Sequence, residues 1–426
     1  MFILQLFIVG SLMLALGYLS ALSVFTVVAA IHAGGRHEDA PESAEALAAS
    51  RLTIPVSVIV PAGSALQINR TIRDLLDLNY PEFEVIVVVD EPAAVAEAIA
   101  REWQLEPVEF FYRRTLDTAP VRRIFRSRRD ARLMIIEKKA GHRSDALNAG
   151  VNIGRYRFVA IVPLDASFDR DALLRAMAPA LDDPRSVVGV FSLLEPGHDA
   201  ESDTESDARF LRLRSIRASM VARLFRAGLS RQVDGHGVRL WRRDAVLGAG
   251  GFSMRAARPD VDMAFRVAGG SECRVVCAQE PFGRTSARSP HTVGASAKRR
   301  QTAVLEVLRT MGPSSLSVTG RHGFGAFLEA ELLTPVAQFW VVVASVAGAL
   351  LGVVSWPAAV ASVLLLSFGT ALVSAAAVLL AGSHDYAPRR SELKALLLAA
   401  PLEVVLHRPR LAWCRLSAII GVAAGH

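Results

Sequence analysis

The sequence predicts an α/β domain with apolar helices at both ends of the chain. Hydrophobic residues make up 52% of the 426 residues, and the mean hydropathy is +0.33, which is high for a water-soluble protein. The apolar residues are concentrated at the two ends, whereas residues 36–320 carry most of the charge. Within this middle part, β-branched runs alternate with segments of helical spacing, which indicates an α/β fold.

The first element is an apolar segment, and we predict that residues 1–33 form an N-terminal transmembrane helix. No Asp, Glu, Lys or Arg occurs before Arg36, and about 20 apolar residues suffice to cross a bilayer. A signal peptide would have a basic start and a shorter apolar region. The segment is therefore interpreted as a spanning helix.

The charged part, residues 50–320, contains the predicted α/β domain. The buried strands are VSVIVP, FEVIVVVD, LMIIEK and RFVAIVP, and the segments between them include NRTIRDLLDLNYP and SDALNAGVNIG. This alternation predicts a parallel sheet with right-handed crossovers. Ligands bind such sheets at the carboxyl ends of the strands. Asp90 and Asp165 follow two of the strands and are therefore candidate binding residues.

After the domain, residues 326–382 are predicted to form a transmembrane hairpin. Its two apolar arms are Leu332–Val354 and Pro357–Leu380. Residues 391–426 are apolar but are broken by Pro401, Glu403 and several basic residues. This last segment fits a span, a re-entrant segment or an interfacial helix equally well.

The charge pattern predicts orientation and partners. Basic residues flank the spans at Arg36, Arg321 and Arg389, which places the α/β domain in the cytoplasm and the chain in the inner (cytoplasmic) membrane. The net charge of +7 fits contact with membrane lipids or phosphates. We expect no nucleic acid partner, because no nucleic-acid-binding motif accompanies the charge.

Two further segments each have two interpretations. Residues 112–143 hold eleven Lys or Arg against three acids, which fits a solvated basic face or a contact with lipid phosphates or a nucleotide. Residues 210–228 place Leu213, Ile216, Met220 and Leu224 among arginines. Such a stripe fits a membrane interface or packing on the core.

The ordered segments VSVIVPA, NYPEFEVIVVVDEP, KKAGHRSDALNAGVN, VPLDASFDRDALL, LWRRDAVLGAGGF and PDVDMAFRV, flanked by apolar spans, resemble a known family. They are similar to the processive, membrane-embedded branch of glycosyltransferase family 2, which includes cellulose, hyaluronan and poly-N-acetylglucosamine synthases. The resemblance implies a GT-A fold, with a Rossmann-like nucleotide-binding sheet and an acceptor-binding half. It also implies a nucleotide-sugar donor, expected to be a UDP-sugar, and a glycan or lipid-linked acceptor.

The resemblance assigns the donor residues. Asp90 stands where a carboxylate helps to bind the nucleotide, and Arg143 and Asp145 stand where the family lines the donor site. Arg143 replaces the usual lysine, and its planar guanidinium binds phosphate differently from an ammonium. Asp165 matches the second aspartate of an Asp-any-Asp metal pair, whose first position is Pro163 here. One carboxylate beside substrate phosphates can hold a divalent ion, so Mg²⁺ or Mn²⁺ at a weakened site is expected.

On the acceptor side, Asp260 matches the catalytic base, although Pro259 replaces the preceding glutamate. The family's Gln-any-any-Arg-Trp motif appears as residues 296–300, which keep Arg299 but carry Arg300 in place of tryptophan. Arg284 stands in another altered motif. We expect Arg299 and Arg300 to contact the substrate.

These departures leave three interpretations open. The first is an active enzyme in which arginines share the stabilisation of the leaving group. The second is a catalytically impaired relative with a scaffolding or regulatory role, together with partners of exopolysaccharide assembly. The third is a transferase that makes a single addition to a lipid-linked acceptor, for which the polymer-binding tryptophan is dispensable.

Overall fold

The computed structural model describes most of the α/β domain and the apolar helices. The described residues are 2–34, 53–62, 65–90, 93–164, 166–196, 237–256, 259–267, 273–278, 282–285, 332–381 and 394–399, with the single residues 213, 216, 217, 220, 302, 305, 328, 413 and 417.

The described strands form one mixed sheet. Its order is β3-β4-β5-β2-β1-β6-β9-β8-β11-β7, and β10 pairs with β8 beside β11. The strands are β1 Val56–Pro61, β2 Phe83–Asp90, β3 Leu105–Pro107, β4 Val121–Ser127, β5 Leu133–Lys138, β6 Phe158–Ile161, β7 Ala166–Phe168, β8 Val187–Pro196, β9 Gly237–Arg242, β10 Arg274–Cys277 and β11 Gly283–Thr285.

The prediction of a parallel sheet holds for only part of it. Strands β5, β2, β1 and β6 are parallel neighbours. Beyond them the sheet is mixed, because β4 runs antiparallel to β5 and β9 runs antiparallel to both β6 and β8. The alternation of strands and helices along the chain indicates crossover connections. It does not determine whether a strand that follows a long connection runs parallel or antiparallel to its neighbours.

Helices cover both faces of this sheet. They are α1 Phe2–Gly34, α2 Ala65–Leu76, α3 Ala93–Glu102, α4 Arg143–Ile153, α5 Ala172–Asp182, α6 Arg243–Gly248, α7 Pro259–Val267, α8 Thr334–Leu350 and α9 Trp356–Ala381. Residues of α2, α3 and α5 pack in one core, on one face of the sheet. Residues of α4, α6 and α7 pack in a second core, on the other face.

The packing of α4 against β1 is unusually close. A Cβ built on Gly150 of α4 would lie 2.6 Å from Ile59 Cγ2 of β1. Every described residue of α4 after Arg143 is buried, polar ones included. The helix is thus fixed against the parallel part of the sheet, with its first turn beside the carboxyl end of β5.

Helices α1 and α9 are long and apolar enough to cross a bilayer, judged by length and composition. Helix α8 is shorter, with 17 residues, so the first arm of the predicted hairpin is shorter as a helix than the apolar run. The arms are joined by a turn in which Gly352 has φ +69°, a conformation that glycine adopts without strain. Leu12, Leu16 and Leu19 of α1 pack with residues of α8 and α9.

The predicted apolar stripe after the acidic loop packs on these helices. Leu213, Ile216 and Met220 are buried with Ala30 of α1, Ala377 and Val378 of α9, and Leu396. Arg217 donates a hydrogen bond from Nη1 to Ser374 Oγ of α9 at 2.9 Å. The described part of this segment therefore contacts the apolar helices; Leu224 lies outside the described residues.

Candidate active site

The carboxyl ends of β2 and β5 carry an ion pair. The parallel register sets Asp90, the last residue of β2, opposite Lys138, the last residue of β5. Lys138 Nζ lies 2.7 Å from Asp90 Oδ1, and the lysine side chain is fully buried, whereas that of Asp90 is 32% exposed. Asp90 is thus partly exposed at the carboxyl edge of the sheet, whereas the ammonium group of Lys138 is buried.

Asp145, in the first turn of α4, is the second partner of this lysine. Its Oδ2 forms an ion pair with Lys138 Nζ, and its Oδ1 accepts a hydrogen bond of 2.6 Å from the Ala119 N–H. A Cβ on Gly141 would lie 2.6 Å from Asp145 Oδ2 and 3.1 Å from Lys138 Nζ. Both carboxylate oxygens of Asp145 are therefore engaged within the protein, and glycine is required beside them. We call Asp90, Lys138 and Asp145 the donor-edge cluster.

Arg143 begins α4 and is exposed. Among the described residues, no carboxylate forms an ion pair with it. The amino end of a helix carries partial positive charge and unpaired N–H groups, so an anion beside it is stabilised. A guanidinium at this position suits a diphosphate at the carboxyl edge of the sheet.

The buried polar side chains of α4 fix the surrounding loops. Asn152 Oδ1 accepts hydrogen bonds from the N–H groups of Thr115 and Leu116, and its Nδ2 donates to Leu116 O. Ser144 Oγ donates to Ser253 O at 2.8 Å, and Asn148 bonds to the backbone of Phe252. The same helix thus holds a loop on the donor side and the segment that precedes α7.

Asp260 lies in the first turn of α7 and is buried against β9. Its Oδ2 lies 3.2 Å from Arg239 Nη1, and the side chains are 6% and 3% exposed. Asp260 Oδ1 is buried and has no hydrogen-bond partner among the described residues. Since Arg239 is opposite Ile161, the last residue of β6, Asp260 is placed near the carboxyl end of that strand.

The carboxyl end of α7 bonds to the segment that precedes this helix, which α4 also contacts. Arg266 donates to Asp262 on its own helix and to the carbonyls of Ala249 and Gly251. The segment before α7 is therefore held from two sides, and it links the donor-edge cluster to the helix that carries Asp260.

The predicted residues Asp165, Arg299 and Arg300 lie outside the described residues. The chain that enters position 165 is nevertheless fixed, because Thr71 Oγ1 donates to Leu164 O at 2.9 Å. On the other side of this position, Ala166 of β7 is opposite Thr285 of β11. The backbone of Arg284 thus lies opposite Ser167, two residues after this position.

The described residues do not supply a metal site. They contain no group of three His, Cys, Asp or Glu side chains that could hold an ion, and Lys138 binds the carboxylates of Asp90 and Asp145. The expected Mg²⁺ or Mn²⁺ site consequently depends on Asp165 and on the substrate's phosphates.

Much of the basic segment 112–143 is paired within the protein. Arg123 binds Glu97 and Glu137, Arg128 binds Glu106, and Arg132 binds Asp130. These contacts support the interpretation of a solvated face for this part of the segment. They leave Arg143, at its carboxyl end, as the cation best placed for a ligand.

Two residues of the site escaped the sequence analysis. The sequence pattern places Lys138 at the end of a strand but predicts no ion pair for it, and it predicts no role for Arg239. A signal existed for each, since a charged residue interrupts a run of buried strand positions. Neither signal identifies a partner, because the carboxylates come from distant parts of the chain.

The comparisons with known proteins concern the family and the fold. Residues 57–246 match the model of glycosyl transferase family 2. No curated protein sequence matches the chain. The mannosyltransferase PcManGT from Pyrobaculum calidifontis, solved with GDP-Man and Mn²⁺, aligns over 93% of this chain and 99% of its own, with 18% identity and a TM-score of 0.53. TarS 1-349 from S. aureus, solved with UDP-GlcNAc, aligns over 86% and 92% with 14% identity, but its TM-score is 0.39.

The fold and the matched segment define the class of protein, which is a glycosyltransferase. More particularly, residues 57–246 match family 2, and the fold is of the GT-A type. The donor-edge cluster and Arg143 lie inside the matched segment, and Asp260 lies beyond its end.

Proposed function

We propose that this chain is a membrane-bound inverting glycosyltransferase. It transfers a sugar from a cytoplasmic nucleoside diphosphate sugar to a polysaccharide or lipid-linked acceptor. The observation that supports the proposal is that Asp90 ends β2 and Arg143 begins α4 within the segment that matches family 2, while Asp260 pairs with Arg239 opposite the end of β6. Open α/β sheets bind their ligands at the carboxyl ends of their strands.

The donor side is assigned from burial and charge. Asp90 is the exposed member of the donor-edge cluster and contacts the nucleoside. Arg143 binds the diphosphate, together with the amino end of α4. Asp145 is proposed to act on the donor side through Lys138, which it orients and which in turn holds Asp90. Arg299 and Arg300 are proposed to add positive charge at the leaving group.

Asp260 is proposed as the general base. A carboxylate that removes the acceptor's hydroxyl proton as the new bond forms contributes about 10²–10⁴-fold in rate. The attacking oxygen displaces the diphosphate from the opposite side of the anomeric carbon, which inverts its configuration. A divalent ion at Asp165 would stabilise the departing diphosphate.

The apolar helices support an acceptor at the membrane. We propose that α1, α8 and α9 span the inner membrane and that the domain faces the cytoplasm. Leu213, Ile216 and Met220 pack on α1 and α9. A segment between β8 and β9 of the domain therefore contacts two of the proposed spans. Processive synthesis, as in the relatives that the sequence resembles, and single transfer to a lipid-linked acceptor both fit this arrangement. In either case, partners of polysaccharide assembly are expected.

The altered motifs favour a second candidate, a catalytically impaired relative with a scaffolding role. Pro163, Pro259 and Arg300 each stand where the family has a carboxylate or an aromatic ring. A site that binds the donor without turning it over would agree with that candidate.

One experiment separates the two. The purified full chain in lipid is incubated with UDP- and GDP-sugars, with Mg²⁺ or Mn²⁺, and with a membrane extract that supplies glycan and lipid-linked acceptors, and donor binding and release of nucleoside diphosphate are measured. We expect binding and release for at least one donor, binding with release slowed by about 10²–10⁴-fold for Asp260→Asn, and weakened binding for Arg143→Gln. Arg170→Gln is the matched control, because Arg170 is 73% exposed and pairs only with Asp77 among the described carboxylates. Binding without release in the wild type would establish the impaired relative, and no binding at all would overturn the proposal.

A further inference from the structure

Arg239 is a buried arginine in the middle of the sheet. Its strand, β9, is paired on both sides, so that Arg239 is opposite Ile161 in β6 and Phe191 in β8. The backbone at this position is therefore held by two neighbouring strands. Its guanidinium also lies over the Phe191 ring, with Cζ 5.4 Å from the centroid. A buried cation is unfavourable unless it is paired, and the ring and Asp260 are two of the contacts that compensate this one.

The partner carboxylate is held by one oxygen only. Asp260 Oδ2 lies 3.2 Å from Arg239 Nη1, whereas Oδ1 is buried without a hydrogen-bond donor among the described residues. A buried carboxylate oxygen that lacks a donor is unfavourable. It is also the atom that can accept a proton from a substrate hydroxyl.

The helix that carries Asp260 is fixed at its far end as well. Arg266 bonds to the carbonyls of Ala249 and Gly251, and Asp262, the second carboxylate of the first turn, is bound by Arg266. Asp262 therefore does not compete for Arg239. The geometry gives the two aspartates of α7 different tasks, since one braces the helix and the other faces the sheet.

We propose that Arg239 is the positioning residue of the general base, an inference that rests on the proposed function. It holds Oδ2 and directs Oδ1 toward the acceptor. In the transfer step, Oδ1 takes the proton of the acceptor hydroxyl and the hydroxyl oxygen forms a bond to the anomeric carbon. The bond between that carbon and the donor's phosphate oxygen breaks, and its electron pair leaves with the nucleoside diphosphate.

The test compares Arg239→Met, Arg239→Lys, Asp260→Asn and the double variant Arg239→Met/Asp260→Asn in the full chain in lipid. Arg242→Met is the matched control, because Arg242 lies on the same strand but pairs with the exposed Asp244. Donor affinity and the rate of nucleoside diphosphate release are measured for each variant. All variants are first checked by thermal unfolding.

We expect Arg239→Met to lower kcat by about 10- to 100-fold, the scale of a misplaced catalytic group, while the donor Kd changes less than about threefold. Arg239→Lys keeps the charge but loses the planar fork, so it should recover part of kcat. In the Asp260→Asn background, Arg239→Met should lower the residual rate no further, because residues that act as a unit are non-additive. The control should keep the wild-type kcat.

The outcomes distinguish this inference from the proposed function. If Asp260→Asn abolishes turnover while Arg239→Met and Arg239→Lys keep the wild-type kcat, the positioning role is wrong and the assignment of the base stands. An additive loss in the double variant would mean that Arg239 acts only on the fold. If Arg239→Met does not fold, Arg239→Lys provides the test. A kcat below the wild-type value at an unchanged donor Kd supports the positioning role, and a wild-type kcat contradicts it. Wild-type turnover in Asp260→Asn, or no donor turnover in the wild type, would overturn the proposed mechanism itself and this inference with it.

Discussion

Asn148 of α4 and Phe252, in the segment before α7, are joined by two hydrogen bonds. Asn148 Nδ2 donates to Phe252 O at 3.0 Å, and the Phe252 N–H donates to Asn148 Oδ1 at 2.7 Å. The amide thus replaces the backbone partner that the segment would have in a sheet. Gly251, beside it, has φ +78°, and a Cβ there would lie 2.7 Å from Asn148 Oδ1. The pair connects the helix of the donor side to the helix of Asp260.

Replacing this amide should destabilise the domain. In Asn148→Ala the N–H and the carbonyl of Phe252 lose their partners, and each buried group left unpaired costs about 1–3 kcal/mol. We expect the free energy of unfolding to fall by about 2–4 kcal/mol, as measured by denaturant unfolding of the full chain in detergent. Asn79→Ala is the control, because Asn79 makes an exposed hydrogen bond to Asp171, and such changes stay within about 0.5 kcal/mol. Equal effects of both variants would contradict the bridging role.

Variants of the donor-edge cluster should affect donor binding and stability separately. Asp90→Asn keeps the shape of the exposed member but removes its charge, so we expect donor affinity to fall by about tenfold, or roughly 1.4 kcal/mol, with little loss of stability. Lys138→Met leaves Asp145 buried without its cation, and breaking a buried pair costs about 3–5 kcal/mol. Calorimetric titration of the donor and thermal unfolding measure the two effects. If Lys138→Met is as stable as the wild type, the buried lysine does not hold the cluster together.

The parallel half of the fold was predictable because its strands are short apolar runs and its helices have clear spacing. The place of Asp90 at the end of β2 was predictable because a buried apolar run precedes it; its contact with a ligand at that strand end stays a prediction. The direction of β9 was not predictable, since antiparallel pairing with β6 and β8 depends on a long connection. The partner of Asp260 was missed for the same reason: Arg239 faces it only once β9 lies between those strands.

The ion pair of Asp130 and Arg132, outside the site, should make the stability of the domain depend on pH. Hydrogen bonds from Arg132 hold the pKa of Asp130 below its usual value, against the opposing effect of burial. A carboxyl with a lowered pKa in the folded state stabilises the fold above its unfolded pKa of about 3.9, and this contribution is lost as the pH falls through the lower folded value.

We therefore expect Asp130→Asn to destabilise the domain at pH 7 by about 0.5–1 kcal/mol, the scale of a surface ion pair, and the difference should shrink as the pH falls below about 3.9 and through the lower folded pKa. Thermal unfolding from pH 2.5 to 7 measures it. Asp117→Asn is the control, since the Asp117 side chain is fully exposed and lies 3.9 Å from Arg114. A difference that persists unchanged at the acid end would show that the charge of Asp130 is not its cause.

The last prediction concerns the metal and position 163. The chain around this position is fixed, because the Val162 N–H donates to Ile59 O at 3.1 Å and Thr71 binds Leu164 O. A carboxylate introduced by Pro163→Asp would thus stand two residues before Asp165 on a fixed backbone. Mg²⁺ is commonly bound through one or two carboxylates and substrate phosphates, so the variant should need about tenfold less Mg²⁺ or Mn²⁺ for half-maximal release of nucleoside diphosphate. Pro163→Asn, which has nearly the same shape and no charge, controls for the loss of the proline ring. If both variants show the wild-type dependence on the metal, the ion does not bind at the end of β6, and Arg143, Arg299 and Arg300 would have to stabilise the leaving group without it.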